Sequence, residues 1–107
     1  MSNPITFEEH FEVLFRDCLD VMVERQRKYG PHNIPKFGTF GTLVRMGDKF
    51  ERLAHMVGRW GETLDTDESI EDTLIDLANY ATIMRAQLRG IWTADQCPPL
   101  MNYQEEP

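Results

Sequence analysis

Glu68-Ser-Ile-Glu-Asp-Thr-Leu-Ile-Asp-Leu-Ala-Asn-Tyr-Ala-Thr-Ile-Met-Arg-Ala-Gln-Leu-Arg-Gly90 is the stretch on which the fold turns. Ile70, Leu74, Leu77, Ala78, Ala81, Met84 and Leu88 recur within it at three- and four-residue spacing, mostly, which is the period of a helix with one apolar face. Thr66 or Asp67 precedes it as an N-cap and Gly90 follows as a stop. The spacing therefore predicts a helix running to about Arg89, with that apolar face in the core.

Two more helices are predicted by the same reasoning. Thr6, with Glu9 three residues on, makes a capping box. Phe7, Phe11, Leu14, Phe15, Cys18, Leu19, Met22 and Tyr29 then follow at helical spacing until Gly30-Pro31 ends the run. Gly30 to Thr39 holds two prolines and two glycines and predicts a joint. From about Phe40 to Val57, Leu43, Met46, Gly47, Phe50, Leu53, Ala54 and Val57 predict a helix whose polar face carries Arg45, Asp48, Glu51, Arg52 and His55. Gly47 in mid-helix predicts a close helix–helix approach. Gly58 to Asp67 is a polar joint. The stretch from Ile91, with Cys97-Pro98-Pro99, predicts an irregular strap that offers Ile91, Trp92, Leu100 and Met101 to a subunit contact. No segment alternates as a strand would. The class is all-α, one domain over residues 1–107: three long helices plus an irregular C-terminal tail.

Charge and composition narrow the function. The 107 residues carry 18 acidic and 11 basic side chains, for a net charge of −7. That balance argues against a grip on duplex nucleic acid but not against small phosphate ligands beside a cation. No apolar run is long enough to cross a membrane, and Met1-Ser2-Asn3-Pro4 does not open a secretory leader. Cys18 and Cys97 form neither a disulfide framework nor a zinc pattern. A cytoplasmic setting is expected. One small domain has a small core, so a second subunit is the expected source of any further walls a site needs.

The chemistry concentrates on one stripe. Glu68, Asp72, Asp76 and Asn79 recur at spacings of four, four and three and so share a side of the third helix. Carboxylates in a first turn are explained by the helix dipole, but Asp76 and Asn79 lie deeper, among Ile75, Tyr80 and Ile83. Carboxylates four apart on a partly apolar face repel, so something positive must sit between them. A metal ion and a basic side chain both meet that requirement. Asp48 and Glu51 on the second helix are the complement. Packed side by side, the two helices would gather Asp48, Glu51, Asp72 and Asp76 around one pocket, an oxygen-only set that suits Mg²⁺ or Mn²⁺. Arg45, Lys49 and Arg52 would then meet phosphate oxygens, with Lys28, Lys36 and Asn79 as further contacts. Tyr29, Phe37 or Trp60 would stack on a base. No Walker or dinucleotide glycine loop is present.

Arg27-Lys-Tyr-Gly30, Phe37-Gly-x-x-Gly41, Arg45-Met-Gly-Asp-Lys-Phe-Glu-Arg-Leu53 and Glu68-Ser-Ile-Glu-Asp-Thr-Leu-Ile-Asp-Leu-Ala-Asn-Tyr80 together resemble the nucleotide modification associated domain found in many phage proteins. That group is similar to the MazG-like all-helical nucleoside triphosphate pyrophosphohydrolases. The resemblance spans roughly Lys28 to Gly90. It implies a MazG-like helical bundle completed by oligomerisation, as a homodimer or homotetramer, in the host cytoplasm if phage-encoded. It also implies Mg²⁺ held by carboxylates and cleavage between the α- and β-phosphates. In the wider superfamily one helix carries Glu-x-x-Glu and a later one Glu-x-x-Asp. Asp48 and Glu51 match the first pair and Asp76 the last residue of the second. Thr73 stands where the remaining Glu would be, and Asp72 is offset by one.

Three functions follow as expectations. The first is a Mg²⁺-dependent (deoxy)nucleoside triphosphate pyrophosphohydrolase that shapes the nucleotide pool. Asp48, Glu51, Asp72 and Asp76 would hold metal there, with Glu51 or Asp72 orienting the attacking water. The second is a non-hydrolysing protein that binds or sequesters a nucleotide or nucleotide signal on the same fold. The third is a purely structural helical dimer.

Overall fold

A computed structural model describes residues 3–57 and 68–101. Its elements are α1 (Phe7–Tyr29), a 3-10 turn at Pro35–Phe37, α2 (Gly38–Val57) and α3 (Glu68–Leu88). No strand occurs among the described residues. Among the described residues no helix is long and apolar enough to cross a membrane. The joint at Gly58–Asp67, with Trp60, and the cap at Thr66 or Asp67 lie outside the described residues, as does the Glu68 side chain.

The helix ends follow their sequence signals. The Thr6 hydroxyl oxygen accepts the Glu9 N–H at 3.2 Å, capping α1, and the hydroxyl donates to the Glu9 carboxylate in return. Gly30, at φ 78°, closes the other end by donating its N–H to the Gln26 carbonyl. At the end of α3, Gly90 donates to the Gln87 carbonyl and Ile91 to the Ala86 carbonyl. This is the paired bonding of a Schellman cap, which needs the left-handed φ of 73° that Gly90 adopts. α2 starts eight residues after Gly30, directly after the 3-10 turn.

Packing departs from the apolar faces read in the sequence. α2 and α3 form the main pair, and α1 crosses onto α3 over a smaller patch. The buried face of α3 is Thr73, Asp76, Asn79 and Ile83, not the predicted Ile70–Leu74–Leu77–Ala78–Ala81–Met84–Leu88 face. Leu74, Ala78, Ala81 and Leu88 are exposed, while Ile70, Leu77 and Met84 are half-buried. α2 is rotated in the same sense. Thr42 is its buried residue, Arg45, Met46, Lys49 and Leu53 are half-buried, and Leu43 and Phe50 are exposed. Arg45 and Lys49 thus belong to the packed side, whereas Asp48, Glu51, Arg52 and His55 remain outside. Among the described residues the buried apolar side chains are Ile83 and Trp92, joined by Pro35.

Two local expectations change. Gly47 is exposed, and a methyl group placed on it would meet nothing within 4 Å, so no close approach explains it. The tight glycine is Gly41, where a Cβ would lie 2.6 Å from the Phe37 Cβ. Trp92, expected at a subunit contact, turns inward instead: it is 8% exposed and its indole N–H donates to the Pro31 carbonyl at 3.0 Å.

Candidate functional site

The site is built around Asp76. One turn deeper in α3 than Asp72, it is buried among the side chains of all three helices. A buried carboxylate needs counter-charge and hydrogen bonds. Arg25 of α1 supplies a guanidinium to Oδ1, and Lys49 of α2 places Nζ 3.0 Å from Oδ2. The positive partner that the α3 stripe requires is therefore a pair of basic side chains. Lys49 is largely covered and Arg25 about half-exposed, so both keep donors free toward solvent.

Asn79, one turn on, anchors the same crossing. Its amide donates to the Cys18 carbonyl at 2.9 Å, tying α3 to the middle of α1. Thr42 ties the opposite side, its hydroxyl donating to the Gln87 carboxamide oxygen at 2.8 Å. Arg45 reaches the joint after α1 and donates to the Asn33 carbonyl at 3.2 Å. Gln26 donates to the Cys97 sulfur at 3.3 Å, which fastens the tail to α1. Burial there pushes the Cys97 thiol above its ordinary pKa.

These contacts surround a cavity of about 410 Å³. Its charged lining is Arg25, Arg45, Lys49 and Asp76, a formal balance of three cations against one carboxylate. Tyr29, Tyr80, Trp92, Met22, Ile34 and Ile83 supply the apolar and aromatic walls, and Gln26, Asn33 and Asn79 the neutral polar ones. Two depressions share walls with it. One, of about 320 Å³, includes Asp72, Lys28 and Glu24 and shares Arg25 and Tyr29. The other, of about 400 Å³, includes Asp48 and Arg52 and shares Arg45, Lys49 and Tyr80.

The structure thus sorts the residues singled out in the sequence. Asp76, Asn79, Arg45 and Lys49 meet at the main cavity, with Asn79 held by its bond to α1. Asp48 and Arg52 lie in one adjoining depression, Asp72 and Lys28 in the other. Glu51 is exposed on α2 and lines none of the three. The expected gathering of Asp48, Glu51, Asp72 and Asp76 around one pocket does not occur within the chain. Among the described residues no three His, Cys, Asp or Glu side chains converge as metal ligands. The physical reason is the rotation of α2: it turns Lys49 inward to Asp76 and leaves Glu51 outside. Both oxygens of Asp76 are already engaged by basic groups, so this arrangement does not fit a resident Mg²⁺ or Mn²⁺.

Arg25 is the site residue that the sequence reading missed. Its signal is an interruption. The apolar stripe of α1 runs through Cys18 and Met22 to Tyr29, and the position where the next apolar residue belongs is taken by Arg25-Gln26. A basic residue on the line of a packed stripe must find a partner, and Asp76 is it. Trp92 and Asn33, from segments without a period, carried no comparable signal. In comparisons with protein-family models, curated proteins and solved structures, nothing matches this chain.

Proposed function

We propose that this protein binds a nucleotide, or a nucleotide-derived signal, in the cavity at the crossing of its three helices. The observation that supports this reading is the cavity's lining. Arg25, Arg45 and Lys49 outweigh the single carboxylate Asp76, beside the rings of Tyr29, Tyr80 and Trp92. Guanidinium and ammonium groups suit phosphate oxygens, the first as a planar fork and the second as a point charge. Aromatic walls suit a base. A volume of about 410 Å³ is in the ordinary range for small-molecule sites. Arg45 and Lys49 would hold the phosphate with Arg25, while Lys28 and Arg52, in the adjoining depressions, would meet a longer polyphosphate.

Hydrolysis is the second reading, on a MazG-like bundle, with Asp48 and Asp72 bordering the phosphate from the two depressions. The carboxylates are separated and Asp76 is ion-paired, so binding without cleavage is the function this geometry supports better. Titration calorimetry with a panel of nucleotides tests it, followed by chromatography of the recovered ligand after incubation with Mg²⁺. Tight binding with intact ligand supports binding. Release of pyrophosphate moves the assignment to the hydrolase, and no heat with any nucleotide overturns both.

We also propose a homodimer or homotetramer as the working assembly. The support is the scarcity of a core: among the described residues only Ile83, Trp92 and Pro35 are buried apolar side chains.

A further inference from the structure

We infer that two copies of this chain associate through the N-terminal half of α1, with the apolar strip of each arm as the contact surface. This deepens the proposal of self-association and is independent of the cavity's ligand. Every residue from Phe7 to Asp17 is exposed, and Cys18 is the first of α1 to be even partly covered. The first three turns of the helix therefore project past the rest of the chain as an arm.

The arm is not a polar one. Phe7, Phe11 and Phe15 stand in line at four-residue spacing, with ring centroids 4.5 and 6.4 Å apart along the ladder. They are 71%, 41% and 70% exposed, and Leu14 and Leu19 beside them 52% and 44%. A helical segment this short has little stability of its own in water. Stripes of this kind ordinarily form because something buries them.

Areas decide what covers it. At 150–250 Å² for a whole aromatic side chain, the arm's strip exposes on the order of 500 Å². Two strips facing one another bury about 1,000 Å², the lower bound for a specific interface. A two-fold pairing uses the same strip on both copies and closes on itself. The exposed Phe40, Phe50, Leu74 and Leu88 give each copy further apolar surface to add.

Sedimentation equilibrium of the full chain and of the Phe11→Glu/Phe15→Glu variant tests this, with amide hydrogen exchange over residues 7–17. The expected masses are about 25 kDa for the natural chain, twice 12.5 kDa, and 12.5 kDa for the variant. Exchange in the arm of the natural chain is expected to slow as micromolar concentration rises. The exchange measurement does not depend on the variant folding. A natural chain that stays monomeric overturns the inference together with the self-association it rests on, whether the arm is protected by other residues of its own chain or bare. A natural chain that dimerises with an arm whose exchange ignores concentration overturns the interface alone. So does a variant that keeps its helical circular dichroism and still dimerises.

Discussion

The two halves of α1 have the same period and opposite fates. From Phe7 to Asp17 the stripe is aromatic and uncovered; from Cys18 to Tyr29 it is interrupted by Arg25-Gln26 and partly covered, with Cys18, Met22 and Gln26 half-buried and Leu19 and Tyr29 still exposed. The half with more apolar surface is the one left outside. Burial in this chain follows the charges and amides that cross between helices, Arg25 and Lys49 to Asp76 and Asn79 to the Cys18 carbonyl. Burying charge is unfavourable without partners, so this inner face reads as a site more than as a stabilising core.

The comparison can be broken from either side, and the largest effect is expected inside. Ile83→Ala removes most of one of the two apolar side chains outside proline that are buried among the described residues and should destabilise by about 2–5 kcal/mol. Phe7→Ala at the exposed arm should change the stability of the dilute monomer by less than about 0.5 kcal/mol. Thermal unfolding at low concentration measures both, and equal losses would mean that the arm is already covered by its own chain.

Next in size is the inner charge balance. Lys49→Ala should weaken nucleotide binding roughly 10- to 100-fold, the size of one charge-assisted hydrogen bond. Asp76→Asn frees Arg25 and Lys49, so a phosphate ligand should bind about 3- to 10-fold more tightly, on the order of one unit charge screened by solvent in the cavity. If Asp76 held a catalytic metal, the same substitution would instead abolish turnover. Calorimetry on the two variants separates these outcomes. Asp76→Asn should also lower stability by about 1–2 kcal/mol, a modest figure because Arg25 is about half-exposed.

Gly47 gives a smaller effect of opposite sign. Exposed, in mid-helix and with open space around its Cα, it should tolerate alanine with a gain of up to about 1 kcal/mol, read as a rise in Tm. A loss would show that a second copy approaches α2 there. The smallest effect is at Cys97. Its raised pKa leaves less thiolate at a given pH. Alkylation of the native chain at mildly alkaline pH should be slower at Cys97 than in the denatured chain, as peptide mass spectrometry would show.

Legibility varied by the kind of signal. Helix ends were readable because their causes are local: Thr6 with Glu9, Gly30, and the Gly90 Schellman cap use residues within one turn. Asp76 and Asn79 stand out because polar side chains deep in a helix need an explanation, and Arg45 and Lys49 because they flank the acids of α2; the structure lines one cavity with all four. A four-carboxylate pocket requires α2 and α3 to face each other through their acids, whereas a turn of α2 about its axis brings Lys49 to Asp76. Periodicity gives each helix a face, not the angle at which two faces meet.

The amino-acid sequence by itself determined three amphipathic helices, their caps and breaks, and a stripe on α3 that demands positive partners. These are properties of spacing within one helix. Tertiary structure decided that the partners are Arg25 and Lys49, that Trp92 turns inward, and that the aromatic end of α1 stands free. Helix rotation and crossing are set by many weak long-range contacts, and no single local spacing encodes them.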